Sequence, residues 1–141
     1  MEDRGKPVLS RMVDRLRVRV YPSRRAMGEA AGNDVAELMR RLLAGKRELR
    51  MIFAAAPSQN ETLAALARAG GIDWSRVTAF HMDEYIGLAD DAPQRFGRYL
   101  REHIFDLVKP GKVHFIDSGN RADEECRRYS ALLREGPIDI V

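Results

Sequence analysis

Along the chain the apolar positions change period several times, and each change marks an element. Leu16-Arg17-Val18-Arg19-Val20-Tyr21 alternates with period two and predicts a strand. Pro22 stops it, and Ser23 is a good helix N-cap. Met27, Ala31, Val35, Leu38 and Leu42 then recur at helical spacing and predict one amphipathic helix over 24–44, closed at Gly45. Gly28 and Gly32, four residues apart, fit a close approach of this helix to a sheet. Met51-Ile52-Phe53-Ala54-Ala55-Ala56 is a short unbroken apolar run ending at Pro57, the pattern of a strand buried on both faces. Leu63, Leu66 and Ala67 follow on a helix closed by Gly70-Gly71. Residues 76–80 read as a third strand and 113–116 as a fourth. Between them Phe96, Leu100, Ile104 and Leu107 stripe a helix that starts near Pro93. Ala122, Cys126, Tyr129 and Leu133 stripe a further helix, and residues 138–141 open a fifth strand.

Strands alternating with helices imply parallel pairing through right-handed crossovers. The expected fold class is α/β: a Rossmann-like, doubly wound, mainly parallel sheet with helices on both faces, truncated after the fifth strand. Residues 1–16 read as a loosely ordered N-terminal extension and 17–141 as one α/β unit.

Composition narrows the class. An apolar fraction of 45% with 32% charged residues fits a globular chain. No apolar run approaches the ~20 residues that span a bilayer, and the N-terminus lacks a signal core, so a cytoplasmic location is expected. Cys126 is the sole cysteine, which rules out an intramolecular disulfide; on the apolar side of its helix it reads as a buried structural thiol. The net charge of +3 draws on Arg4, Lys6, Arg11, Arg15, Arg17 and Arg19, without the interleaved aromatics of a nucleic-acid patch. His81, His103 and His114 include no pair at metal-ligand spacing, so no metal is expected. His103 and His114 read as structural, whereas His81 fits either a crevice wall or packing at a strand end.

The chemistry concentrates where the third strand ends, at Phe80-His81-Met82-Asp83-Glu84-Tyr85. Ligands of open α/β sheets bind outside the carboxyl ends of the strands. Adjacent side chains on an extended segment point opposite ways, so Asp83 and Glu84 cannot share one job. One suits a general base facing the crevice, and the other suits holding the loop. A second candidate, Ser58-Gln59-Asn60-Glu61, combines a capping box with a helix start suited to an anion.

The segment Val77-Thr78-Ala79-Phe80-His81-Met82-Asp83-Glu84-Tyr85-Ile86-Gly87-Leu88 resembles the V-T-F-x-M-D-E-Y-x-G-L signature of the glucosamine-6-phosphate deaminase (isomerase) family. Glu125-Cys126-Arg127-Arg128-Tyr129 resembles that family's E-C-x-x-Y, and the similarity runs from about residue 17 to Val141. The resemblance implies a reaction without cofactors. Glucosamine 6-phosphate is opened, isomerised through an enediol-like state and stripped of ammonia by water to give fructose 6-phosphate. The expected class is an amino-sugar-phosphate deaminase/isomerase among the hydrolases. By family position Asp83 is the general base, and Glu84 and Tyr85 support substrate binding. Ser58, Gln59 and Asn60 occupy the place of the phosphate-binding turn, although the family's two glycines are missing there. The implied partner is a small-molecule sugar phosphate, with no nucleic acid and no membrane; a homo-oligomer fits as well. Family members continue with a G-x-G-x-x-G-H loop, so the chain is expected to be an N-terminal half, incomplete alone. The alternatives are a sugar-phosphate-binding regulatory domain of the same fold and a 6-phosphogluconolactonase-like hydrolase. Tyr85 argues against the second, where an arginine is usual.

Overall fold

The computed structural model describes residues 6–141; residues 1–5 of the expected extension lie outside the described residues. The chain then departs from its expected course. Residues of the supposed extension form β1 (Leu9–Val13), which pairs antiparallel with β2 (Leu16–Val20). The strand expected to begin the parallel sheet is therefore half of a separate hairpin. Its tight turn is made at Asp14, which takes the left-handed conformation at φ 52° that Asp tolerates better than most residues. Arg19 pairs with Asp34 and ties the hairpin to the helix that follows.

That helix, α1 (Arg24–Gly45), is capped by Ser23, whose hydroxyl accepts from Ala26 N–H at 3.1 Å. Its buried stripe is Gly28, Gly32, Ala36, Met39 and Leu43, one residue on from the expected apolar stripe. The glycines explain the rotation. A Cβ on Gly28 would stand 2.4 Å from the Cβ of Glu61, and one on Gly32 2.6 Å from that of Ala65. The glycine pair thus seats α1 against the neighbouring helix α2 (Asn60–Arg68), not against the sheet, and Met27 is left exposed.

The α/β class holds. β3 (Leu49–Phe53), β4 (Val77–His81) and β5 (Lys112–His114) form a parallel sheet in that order. The expected fifth strand is reduced to a bridge between Met51 and Ile140, with Ile52 N–H on Ile140 O at 3.0 Å and Asp139 N–H on Arg50 O at 2.9 Å. After β4 come α3 (Phe96–Leu100), a π-helical turn (Arg101–Phe105) and α4 (Asp106–Val108); after β5 comes α5 (Ala122–Arg134).

Period two along the strands sorts the core onto two faces. Leu49, Met51, Phe53, Val77 and Ala79 pack with Met39 and Leu43 of α1, Leu63 and Leu66 of α2, and Leu100, Ile104 and Phe105. Complete burial of Met39, Leu49, Leu100 and Ile104 contributes roughly 1.5–3 kcal/mol each. On the other face Phe80 meets Tyr129 of α5 edge-on, with ring centroids 5.9 Å apart.

Two arginines close the helix ends. Arg50, on β3, donates to Leu132 O at 2.6 Å, to Leu133 O at 3.2 Å and to Gly136 O, satisfying carbonyls that the end of α5 leaves open. Arg76 donates to Leu43 O at 2.9 Å, Arg47 O at 3.0 Å and Lys46 O at the end of α1. Each puts a cation at the negative end of a helix dipole. Among the described residues no helix is long and apolar enough to cross a membrane.

Candidate functional site

β4 is buried along its whole length, and the chain leaves the sheet immediately after it. Met82 N–H still bonds to Phe53 O at 3.1 Å, so the end of β4 is registered against the end of β3. The two following carboxylates then part. Asp83 is exposed. Glu84 turns inward until its side chain is 1% accessible. One of its oxygens accepts from Tyr85 N–H and Phe96 N–H, the other from Gly97 N–H, all at 3.0 Å. Burial pushes its carboxyl up, but the N–H groups of Gly97, Phe96 and Tyr85 outweigh it and hold Glu84 below the usual carboxylate range. Arg95 stands 3.6 Å away. Of the two roles weighed for the pair, holding the loop falls to Glu84, which satisfies the open N–H groups at the start of α3.

Asp83, Glu84 and Tyr85 line one pocket of about 340 Å³, together with Met82, Ile86, Ile116 and Cys126. The Tyr85 ring leans on Phe96 at 4.7 Å between centroids. Cys126 corrects an expectation: it is exposed. The buried residues of α5 are Glu125 and Tyr129, because hydrogen bonds to the loop after β5 and to the sheet, not apolarity, fix which side turns inward.

Ser58, Gln59 and Asn60 lie on and beside a 3-10 turn (Pro57–Gln59) after β3, at the same edge of the sheet, but they do not line that pocket. The expected capping box is absent. Gln59 is the N-cap of α2 and makes no side-chain cap bond, while Glu61 pairs with Arg24 at 2.8 Å. Pairing to Arg24 holds the Glu61 carboxyl below its usual range. The turn is instead held from α3: the Tyr99 hydroxyl lies 2.7 Å from Ala56 O and 2.5 Å from Asn60 Oδ1. Burial, aided by Glu61, raises the Tyr99 hydroxyl above its usual pKa. α3 therefore connects both candidate loops, with Glu84 at its start and Tyr99 along it.

Beneath the loops His81, Tyr129 and Glu125 tie the strand ends together. The Tyr129 hydroxyl accepts from His81 N–H at 2.8 Å and lies 2.9 Å from His81 O and 3.1 Å from His114 O. Burial pushes it up to about 12. The Glu125 carboxylate accepts from Arg128, from Asp117 N–H at 2.8 Å and from Asn120 Nδ2 at 2.8 Å, and Arg128 foremost brings it down to about 2. His81 is buried, so of its two readings strand-end packing holds. Its Nε2 accepts from Ile116 N–H at 2.8 Å, while Nδ1 is buried and makes no hydrogen bond of normal geometry among the described residues. Tyr99, Tyr129 and Glu125 escaped the sequence reading as site supports. The last two stood in the E-C-x-x-Y motif, whose first and last residues are the ones buried. Tyr99 carried no signal, since its partners lie 39 and 43 residues back. Among the described residues no cluster of His, Cys, Asp and Glu is arranged to hold a metal ion.

Residues 22–141 match the family model of glucosamine-6-phosphate isomerases/6-phosphogluconolactonase. Glucosamine-6-phosphate deaminase 2 of Giardia intestinalis is 42% identical over 84 residues, covering 57% of this chain and 32% of that protein. Glucosamine-6-phosphate deaminase of Listeria innocua is 37% identical over 95 residues, covering 66% and 40%. Among solved structures, a monomeric glucosamine-6-phosphate deaminase superposes with a TM-score of 0.70 at 21% identity, over 79% of this chain and 47% of that one. A 6-phosphogluconolactonase from Thermotoga maritima also gives 0.70, at 22% identity over 80% and 52%. The matched regions span about a third of the curated relatives' length. The hydrolase class expected from the sequence is overturned by these relatives, which are named glucosamine-6-phosphate deaminases.

Proposed function

Because this chain belongs to the family of glucosamine-6-phosphate isomerases and 6-phosphogluconolactonases, we propose that it serves the deamination of glucosamine 6-phosphate to fructose 6-phosphate, with Asp83 as the base. The observation that carries the assignment is the parting of the two carboxylates. Glu84 is spent on three N–H groups, and Asp83 is exposed beside a pocket at the carboxyl edge of the sheet. The open-chain aldose presents its C2 proton to Asp83, which takes it and returns it to C1 through an enediol-like intermediate. The nitrogen left on C2 is exchanged for a water oxygen, and ammonia departs. Tyr85 and Glu84 shape the pocket wall. Ser58, Gln59 and Asn60 receive the phosphate at the turn that Tyr99 holds, 2.5 Å from Asn60. A cytoplasmic location and homo-oligomeric assembly belong to the same proposal.

The lactonase alternative fits the fold equally and gains nothing beyond it, since those neighbours share no more than 22% identity with this chain. Ammonia release from glucosamine 6-phosphate by the wild-type chain and by Asp83→Asn tests the reading. Release that survives the substitution unchanged overturns it, as does opening of 6-phosphogluconolactone in place of deamination.

A further inference from the structure

His81 ends β4 two residues before Asp83, and its ring is 1% exposed. Ile116 N–H donates to Nε2 at 2.8 Å. A ring nitrogen that accepts carries no proton, so the neutral imidazole holds its proton on Nδ1. Burial keeps the ring neutral, aided by Arg95 and opposed by Glu84, by the Asp83 backbone and by the Asp83 carboxylate. The Nδ1–H is thus a buried donor that makes no hydrogen bond of normal geometry among the described residues, and the backbone group that acts on the ring as an acceptor is that of Asp83. Such donors are rare in folded proteins and call for a reason. The surrounding acceptors are largely committed. The Tyr129 hydroxyl serves the His81 main chain, and the Glu84 carboxylate serves three N–H groups. Asp83 supplies the two further acceptors that act on the ring, its main chain and its exposed carboxylate.

We propose that His81 is a positioning residue for Asp83: in the working conformation its Nδ1–H is donated to the Asp83 main-chain carbonyl, and this bond sets where the Asp83 carboxylate stands over the sheet edge. The inference rests on the reading of Asp83 as the base. A base must come within hydrogen-bond reach of the proton it takes, and such contacts are often long in ligand-free enzymes. The Asp83 side chain is exposed, whereas the ring that acts on its main chain is packed by Phe115 at 5.6 Å and Tyr129 at 6.3 Å. The ring is too deeply buried to touch a sugar, so its effect passes through the peptide.

Two substitutions separate this role from plain packing. Asparagine places an amide donor near the position of Nδ1, and glutamine places one near that of Nε2. The measurements are the tautomer of His81 in the wild-type chain, by nitrogen-15 NMR, and amide exchange at residues 82–85. The expected results are a proton on Nδ1, exchange in His81→Asn within about twofold of wild type, and exchange in His81→Gln raised about tenfold, as loss of one hydrogen bond gives. A proton on Nε2 overturns the proposal. So does protection kept by glutamine and lost with asparagine, which would leave Ile116 as the ring's whole purpose. Either failure leaves Asp83 as the base untouched. Conversely, turnover surviving Asp83→Asn would remove the base and leave the tautomer and exchange results standing.

Discussion

Glu84 and Gly97 are 13 residues apart in the chain and 3.0 Å apart in space, carboxylate oxygen to backbone N–H. That contact spends one member of an acidic pair on architecture and leaves the other, Asp83, exposed beside a pocket. Glu84→Gln is therefore expected to lower stability by roughly 1–2 kcal/mol, through loss of an anion at a helix start and of its charge-assisted bonds. Asp83→Asn, at an exposed position, should change stability by no more than about 0.5 kcal/mol while turnover falls ~10²–10⁴-fold. Urea unfolding alongside ammonia release measures both, and the two variants should fail in opposite columns.

Acid should attack the molecule through Glu125. Its folded pKa of about 2 lies below the ordinary value of 4.5, so its contribution is complete above the unfolded pKa and is lost as pH falls through the folded one. Glu84, also held low, adds to the loss in the same direction. Stability measured from pH 6 down to 2 should decline, and Glu125→Gln should start lower by roughly 2 kcal/mol and decline less steeply.

Alkali should act through Tyr129. Its hydroxyl, pushed up to about 12, stays neutral in the fold after an unfolded tyrosine has ionised near 10. Stability is complete below the unfolded pKa and drains away between those two values as pH rises. Tyr129→Phe removes that drain. It also leaves the buried His81 N–H without its acceptor, at a cost of about 1–3 kcal/mol at neutral pH. Thermal melts at pH 7 and pH 11 distinguish the two effects.

The contact of α1 with α2 gives a contrast between glycines. Gly32→Ala must place a Cβ 2.6 Å from that of Ala65 and 2.7 Å from Thr62 O, which forces the helices apart at a cost of about 1–3 kcal/mol. Gly45→Ala, with nothing within 4 Å, should stabilise by about 0.5–1 kcal/mol through helix propensity. Paired unfolding curves should move in opposite directions.

What the sequence disclosed follows the range of each interaction. β3, β4 and the Asp83–Glu84 pair were legible because period, turn residues and a local motif announce them. The rotation of α1 was not, since apolarity marks Met27 while the surface of α2 selects Gly28. Cys126 was misplaced on the same ground: a thiol looks apolar, but the inward side of α5 is chosen by bonds from Glu125 to Asp117 and Asn120 and from Tyr129 to His81. The hairpin was missed because the period-two positions of Leu9, Arg11 and Val13 precede a turn without glycine. Tyr99 on Asn60 depends on two loops meeting across a sheet edge, which no local pattern encodes.

Arg50 and Arg76 sit on or just before a strand while each holds the end of a helix. Side chains on a strand alternate faces, so sliding β3 by one residue would swing the Arg50 guanidinium away from Leu132, Leu133 and Gly136. A mispaired sheet thereby announces itself at once as an unfinished helix elsewhere. Strand alignment and helix termination become one decision, and the chain proofreads its pairing through two cations.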